Sequence, residues 1–436
     1  MSGAPDTSQP RSWRDPAVLA VLVAFTGNGV IFATWASRLP AIRDLLDLSP
    51  AQIGNLLLVG AVGSVLALPF SGVVVRRLGA RRAIRLAALV AVLAVAGASF
   101  AVQAHHLVLT GVAVVLQGVS IATWDAAMNV EGARAEQLLG YAFMPRFHAA
   151  WSLGSVLGAG IGALGAALAV PLPVHVVSAV SLVAVAMWWA TRPGRATDVA
   201  ATVGGTSGAV GPSQGSGPVT AVPGAGRRGS SFAAWGELRT VLIGVVVLSA
   251  ALTEGAANDW ISLAVVDEFG TSAAIGALAF ALFISAMTAM RVFGTPLIDR
   301  FGRVAVVRGT VATAALGLLV FCLVPRLEVA LVGVVVWGLG AAIGFPVGMS
   351  AAGDDPARAG ARISVVSTIA YSAFFAGPPL LGHLAGAVGY RHALLVILVP
   401  ASVSFALASV LRPRAHRPAV AGVDPGGAAP GGSLGA

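Results

Sequence analysis

Residues 363–390 read ISVVSTIAYSAFFAGPPLLGHLAGAVGY, 28 positions without one Asp, Glu, Arg or Lys. A helix needs about 20 apolar residues to cross the hydrocarbon of a bilayer, so this stretch is long enough to cross once. Residues 17–37, 51–75, 270–290 and 329–353 are equally free of charge. Residues 147–191 are long enough for two crossings, broken at Pro171-Leu172-Pro173. Charged residues make up only 10% of the chain, against roughly 25% in soluble domains. The chain therefore reads as an integral membrane protein.

Working outward from these runs, twelve spans are predicted near 17–38, 50–72, 83–103, 106–128, 146–168, 172–190, 238–261, 271–292, 304–323, 329–350, 362–386 and 391–411. In hydrocarbon each segment must satisfy its own backbone, so spans of this length are helices; the short alternating strands of a barrel are absent. Between the sixth and seventh spans, residues 191–231 hold 24 Gly, Pro, Ser or Thr in 41 positions. Such a composition cannot offset the entropy of ordering and reads as a flexible linker. The expected divisions are a cytoplasmic N-terminal segment 1–16, a six-helix bundle 17–190, the linker 191–236, a second bundle 237–411 and a disordered tail 412–436.

All 27 basic residues are arginine, and the net charge is +9. With the N-terminus in the cytoplasm, only Arg38, Arg43, Arg326 and Arg391 fall on the other side, which is the positive-inside bias of a membrane protein with both termini cytoplasmic. The charge thus reports topology rather than a nucleic-acid partner. Cys322 is the single cysteine, so no internal disulfide forms. Polar residues Met1 to Pro16 lead straight into a full-length span, so no cleaved leader is expected. Without lysine there is no phosphate-binding Gly-Lys loop, hence no direct drive by ATP. No cofactor and no metal are expected; His105 and His106 in a short outer turn are too few ligands.

The two halves repeat. Trp35 precedes Trp260 by 225 residues, Arg77-Leu-Gly79-Ala-Arg81 precedes Arg300-Phe-Gly302-Arg303 by 223, and Gly118, Ser152 and Gly162 precede Gly338, Ser372 and Gly382 by 220. Six plus six spans in parallel duplication is a transporter architecture. The loop from Gly72 through Arg76, Arg77 and Gly79 to Arg81 and Arg82 resembles the Gly-x-x-x-Asp-Arg-x-Gly-Arg-Arg loop of the major facilitator superfamily. Its second copy, Asp299-Arg300-Phe-Gly302-Arg303, keeps the acid that Arg76 replaces in the first. Residues 32–40 and 125–132 resemble a poorly characterised group of bacterial inner-membrane permeases, distantly similar to fucose permease. The resemblance implies an all-α membrane protein with twelve helices in two six-helix bundles, each built of inverted three-helix repeats. It also implies that Gly72, Arg77, Gly79, Arg81, Arg82, Asp299, Arg300, Gly302 and Arg303 belong to gating loops. The bland reading of the arginines is a role in topology alone; an inter-bundle ion pair is expected from Asp299, Arg300 and Arg303.

A charge buried in hydrocarbon costs at least ~2.5–3.5 kcal/mol, so polar groups inside spans are the candidates for function. Asp125 and Asn129 share one face of span 4, and Glu254 and Asn258 share one face of span 7, followed by Asp259. Asn28 lies near the middle of span 1, and His148 starts span 5. Rise per residue puts Glu254 about 24 Å from its entry, in the outer half, and Asp125 in the inner third. Structural pairings to weigh against function are Asp125 with Arg134 or Arg146, and Asp259 with Arg38; Glu254 has no basic residue near it in its own span. Trp151 and Tyr371 are the aromatics expected in the cavity, while Trp35 and Trp260 fit interfacial anchors. Pro346 and Pro378-Pro379 are expected to kink or unwind spans 10 and 11. Gly154, Gly158 and Gly162 read as a close-packing stripe.

The sequence therefore predicts a secondary transporter in the lipid bilayer, a monomer without a nucleic-acid partner, with a small polar solute bound between spans 1, 4, 5, 7, 8, 10 and 11. A proton gradient acting through Glu254 or Asp125 is the expected drive. Proton-driven efflux of drugs or hydrophobic metabolites is the alternative, and a non-transporting sensor the third reading.

Overall fold

The computed structural model describes residues 12–141, 143–192, 230–355 and 358–413. Most of the expected linker, and almost all of the tail, lie outside them. Twelve spans cross the molecule: Pro16–Ala36, Pro50–Leu78, Ala80–Gln103, Leu107–Leu139, Met144–Ala167, Leu172–Ala190, Leu238–Phe269, Ala273–Phe293, Thr295–Leu323, Leu327–Ala352, Ala359–Val388 and Tyr390–Leu411, here spans 1 to 12. Among the described residues there is no strand.

Local chemistry sets the ends. Asp15 accepts from the Ala17 N–H and Pro16 opens span 1. Ser49 and Gln52 form a capping box ahead of span 2, again with a proline in the first turn. Gly79 (φ 78°) separates spans 2 and 3, and its repeat partner Gly302 (φ 77°) breaks the helix within span 9. Both sit in a backbone region that is open to glycine almost alone.

Within each bundle the same pairs pack. Spans 1 and 5, 2 and 4, 3 and 4, and 3 and 6 touch in the first; spans 7 and 11, 8 and 10, 9 and 10, and 9 and 12 touch in the second. Small residues let the backbones meet. A Cβ on Gly154 would fall 2.1 Å from the Thr26 carbonyl oxygen, and one on Gly158 2.6 Å from that of Val30. The expected stripe on span 5 is therefore the seat of span 1. Gly118 meets the Gly60 carbonyl between spans 2 and 4, and Gly338 meets that of Phe283 between spans 8 and 10, so the repeat seen in sequence is a repeat of packing. The bundles join through spans 2 and 11 and spans 5 and 8.

The outer surface carries exposed Leu66, Phe70, Leu93, Val108 and Phe293, as a lipid-facing surface requires. Trp35 and Trp260 are not among the exposed residues: they are 7% and 1% exposed. Indole anchors at the lipid boundary are supplied instead by Trp188 and Trp235, at 69% and 47%. Trp35 does lie at the end of span 1, but Trp260 lies nine residues inside the end of span 7, and only packing decides which way a ring points.

Replacing Gly79 or Gly302 by alanine should lower stability by about 1–3 kcal/mol, because a side chain is strained there. Gly97→Ala is the control: no atom stands within 4 Å of its added methyl. Thermal unfolding in detergent should show a lower midpoint for the first two and none for the third.

Candidate functional site

Between the bundles, spans 1, 4 and 5 present one set of polar groups and spans 7, 8, 10 and 11 another. On the first side, Trp151 donates its indole N–H to Asn28 Oδ1 at 3.0 Å. The pair is positioned by backbone contact, since a Cβ on Gly29 would lie 2.1 Å from the Trp151 carbonyl oxygen. Phe32 stacks on Trp151, and Phe25 meets His148 edge-on at 5.1 Å. Asn28 is 3% exposed, and its Nδ2 has no partner among the described residues; neither has His148 Nε2. These are buried donors and acceptors left unmade, and each costs about 1–3 kcal/mol unless something fills it.

Asn129 donates to the Asp125 side chain at 3.3 Å and to its carbonyl at 2.9 Å, as one helical face predicts. Neither proposed arginine reaches Asp125. Arg134 pairs with Glu131, and Arg146 lies over the Phe143 and Tyr141 rings. Asp125 is buried with no basic partner among the described residues, and within electrostatic reach of Tyr371 from the other bundle.

On the second side, Glu254 has the partner that its own span lacks. Arg291 of span 8 donates Nη2 to Glu254 Oε2 at 2.8 Å and Nε to the Ala342 carbonyl at 3.3 Å. That carbonyl is free because span 10 stops at Ala341 and restarts at Gly344, two residues before Pro346. The expected interruption of span 10 thus supplies an acceptor. Pro378 and Pro379, by contrast, sit inside a continuous span 11. Arg291 was missed because it reads as the last-turn arginine of a span; the signal was there, since it is the one charged residue among Ala273–Phe293. Its Nη1, the Asn258 Oδ1 and the Tyr371 hydroxyl are buried and unpartnered among the described residues.

Two depths change. Span 7 runs to Phe269 and span 4 to Leu139, eight and eleven residues past their predicted ends. Glu254 is therefore the seventeenth of 32 residues and Asp125 the nineteenth of 33, so both lie near mid-helix rather than in the outer half and inner third. Asp259 lines a small cavity with Gly255, Trp260, Phe374, Gly377 and Pro378. Arg38 is not its partner, for it donates to the Val170 carbonyl at 3.0 Å.

The loops pair within bundles. Arg81 binds Glu131 at 2.8 Å, and its repeat counterpart Arg303 binds Asp354 at 2.6 Å, aided by the Ser350 hydroxyl and by Arg239. The inter-bundle pair expected of Arg303 is thus not formed. Arg300 lies over Phe301, Asp299 has no ion-pair partner among the described residues, Arg77 and Arg82 are exposed, and Gly72 packs beside Arg76. On the opposite face, Arg43 of the short helix Leu39–Leu46 binds Asp267 at the end of span 7 at 2.5 Å, which does join the bundles. There too Gly54 meets the Pro378 carbonyl, and Gly382 that of Pro50.

A family model described as Major Facilitator Superfamily matches residues 4–144 and 242–429. The chain belongs to the major facilitator superfamily. An uncharacterized transporter, y4wD of Sinorhizobium fredii, is 31% identical over 394 residues, covering 90% of this chain and 97% of its own. Among solved structures, the nucleoside transporter NupG aligns with a TM-score of 0.67 at 14% identity, over 92% of this chain and all of its own. FucP, a fucose:proton symporter, gives 0.60 in its outward conformation at 15% identity over the same shares. These two likenesses bear on the fold alone. This superfamily member is a transporter and not an enzyme, and it moves a solute across a membrane.

Removing one member of the buried Glu254–Arg291 pair should cost about 3–5 kcal/mol, whereas replacing both by methionine should restore most of it. Unfolding midpoints of Glu254→Met, Arg291→Met and the double variant check this. Outside the spans, hydrogen bonding from Arg362 pulls the Glu237 carboxyl down to about 2, with Thr240 and Arg358 adding to it against burial. A depressed folded value means that the stabilisation is complete above the ordinary glutamate range and lost as pH falls toward 2. The difference in midpoint between wild type and Glu237→Gln should therefore hold above about pH 5 and shrink in acid.

Proposed function

We propose that the protein carries a small polar solute across the bacterial cytoplasmic membrane by alternating access, as a monomer, with its arginine-rich face in the cytoplasm and protons as the coupling ion. The observation that carries this reading is the central set of unpartnered polar groups contributed by both bundles: Asn28 and His148 from one, Asn258, Arg291 and Tyr371 from the other. Buried polar groups are ordinarily hydrogen-bonded and lipid offers no substitute for water, so each unmade bond in this set is costly. A solute with several donors and acceptors would close them, and would hold the two bundles together while bound.

The direction of closure agrees. Among the described residues, each ion pair near the arginine-rich loops joins groups of a single bundle, while Arg43 and Asp267 join the two bundles on the opposite face. Such an arrangement can open toward the cytoplasm without breaking a salt link. Proton coupling is assigned to Asp125 ahead of Glu254. Arg291 already neutralises Glu254, whereas Asp125 is buried with only Asn129 bonded to it and must take a proton, or another cation, to remain in hydrocarbon at low cost.

Spin labels at Asp47 and Thr271 would report one face, and labels at Arg82 and Arg300 the other, in a Cys322→Ser background. Acidification, or removal of the far-face link by Arg43→Ala, should change the two distances in opposite senses. The acid response should vanish in Asp125→Asn. Distances that stay fixed under both treatments would overturn alternating access, and an unchanged acid response in Asp125→Asn would overturn the assignment of the proton.

A further inference from the structure

The transporter reading leaves the chemical class of the solute open, and the charges inside the spans narrow it. We infer that the solute is an organic cation, held on the Tyr371–Phe374 ring pair between Asp259 at one end and Asp125 at the other. This rests on the alternating-access reading above and deepens it.

The argument begins with a balance of charge. Glu254 is matched by Arg291 at 2.8 Å. Asp125 and Asp259 are not: neither meets a basic group among the described residues. The candidate arginines for both are engaged elsewhere, Arg134 on Glu131 and Arg38 on the Val170 carbonyl. Asp125 and Asp259 are therefore two carboxyls without an ion pair among the described residues, while Arg38, a buried arginine without an acid there, is held apart from them against the Val170 carbonyl. A carboxylate-bearing solute at the open Nη1 of Arg291 would add a further acid beside Glu254, which already neutralises that arginine.

Geometry supplies the second line. Tyr371 and Phe374 lie one turn apart on span 11, with ring centroids 6.4 Å apart. Phe374, 39% exposed, lines the cavity that Asp259 shares with Trp260, and its ring edge faces Gly255, where the missing side chain keeps the wall open. Tyr371 lies within electrostatic reach of Asp125, and its hydroxyl is buried without a partner. The aromatic pair thus runs from a carboxyl of the second bundle to a carboxyl of the first. Ring faces attract cations by their quadrupole, and the attraction strengthens where water is excluded. A carboxylate beside two rings is the arrangement that favours an ammonium or quaternary amine over a neutral solute of the same shape. Because Asp125 and Asp259 belong to different bundles, a cation spanning the pair would also tie binding to their relative position.

The test uses the full chain in detergent and three probes built on one ring: benzyltrimethylammonium, benzyl alcohol and benzoate. Tryptophan fluorescence gives the dissociation constants. The cation should bind at least about tenfold more tightly than the alcohol, and Asp259→Asn or Phe374→Leu should each weaken it by about tenfold. Asp259→Glu and Phe374→Tyr should retain it. Benzoate binding more tightly than the cation would overturn the inference, as would wild-type affinity for the cation in Asp259→Asn. If a variant fails to fold, the order of the three probes on wild type decides alone. Should the spin-label distances alternate while the cation fails to bind, the inference falls and the transporter reading stands. Cation binding to a chain whose distances never change would do the reverse.

Discussion

Hydrocarbon has no hydrogen bonds to lend. Everything about this molecule follows from that constraint, beginning with its backbone, which must close its bonds within each span and so becomes helical wherever it crosses. The same constraint turns the few polar side chains into the most informative residues. Where two can meet they do so: Glu254 finds Arg291, and Arg291 finds the carbonyl left free by the interruption of span 10. Where no partner is at hand among the described residues the bond is left unmade, as with Asn28 Nδ2 of the first bundle and Arg291 Nη1 and the Tyr371 hydroxyl of the second.

Because the hydrophobic effect does not drive one lipid-dissolved helix onto another, packing has to come from close backbone approach. The glycines of span 5 against span 1, and of spans 4 and 10 against spans 2 and 8, provide it. The same pairs of spans pack in both halves, and Gly118 and Gly338 make the same close approach in each. The contacts between bundles are of a different kind. Spans 2 and 11 meet through Gly54, Pro50, Pro378 and Gly382 on the face that also carries Arg43 and Asp267, and this is where a hinge between the two bundles would bear.

The arginines divide by the same physics. Near the loops they are anchored by acids of their own bundle, Arg81 by Glu131 and Arg303 by Asp354. The two halves use the same latch although the first lacks the acid that precedes Arg300 in the second. Such pairs brace the ends of spans 4 and 10 against the loops between spans 2 and 3 and spans 8 and 9. They do not tie one bundle to the other.

Sequence alone determined the class, the number of spans, the parallel repeat and the glycine turns at Gly79 and Gly302. Each of these is local: a run of apolar residues, an offset, or a backbone angle open to one residue type. The polar residues of spans 1, 4, 5, 7 and 11 were legible for the same reason, since a polar group in an apolar run stands out. What only the tertiary structure decided was pairing and depth. Arg291 lies 37 positions from Glu254 and on another helix, Arg303 turned to its own bundle, and Trp35 and Trp260 turned inward. Asp125 and Glu254 moved to mid-helix because spans 4 and 7 continue beyond the apolar run into the loops. A charge finds its partner through space, and one-dimensional spacing carries no record of which helices are neighbours.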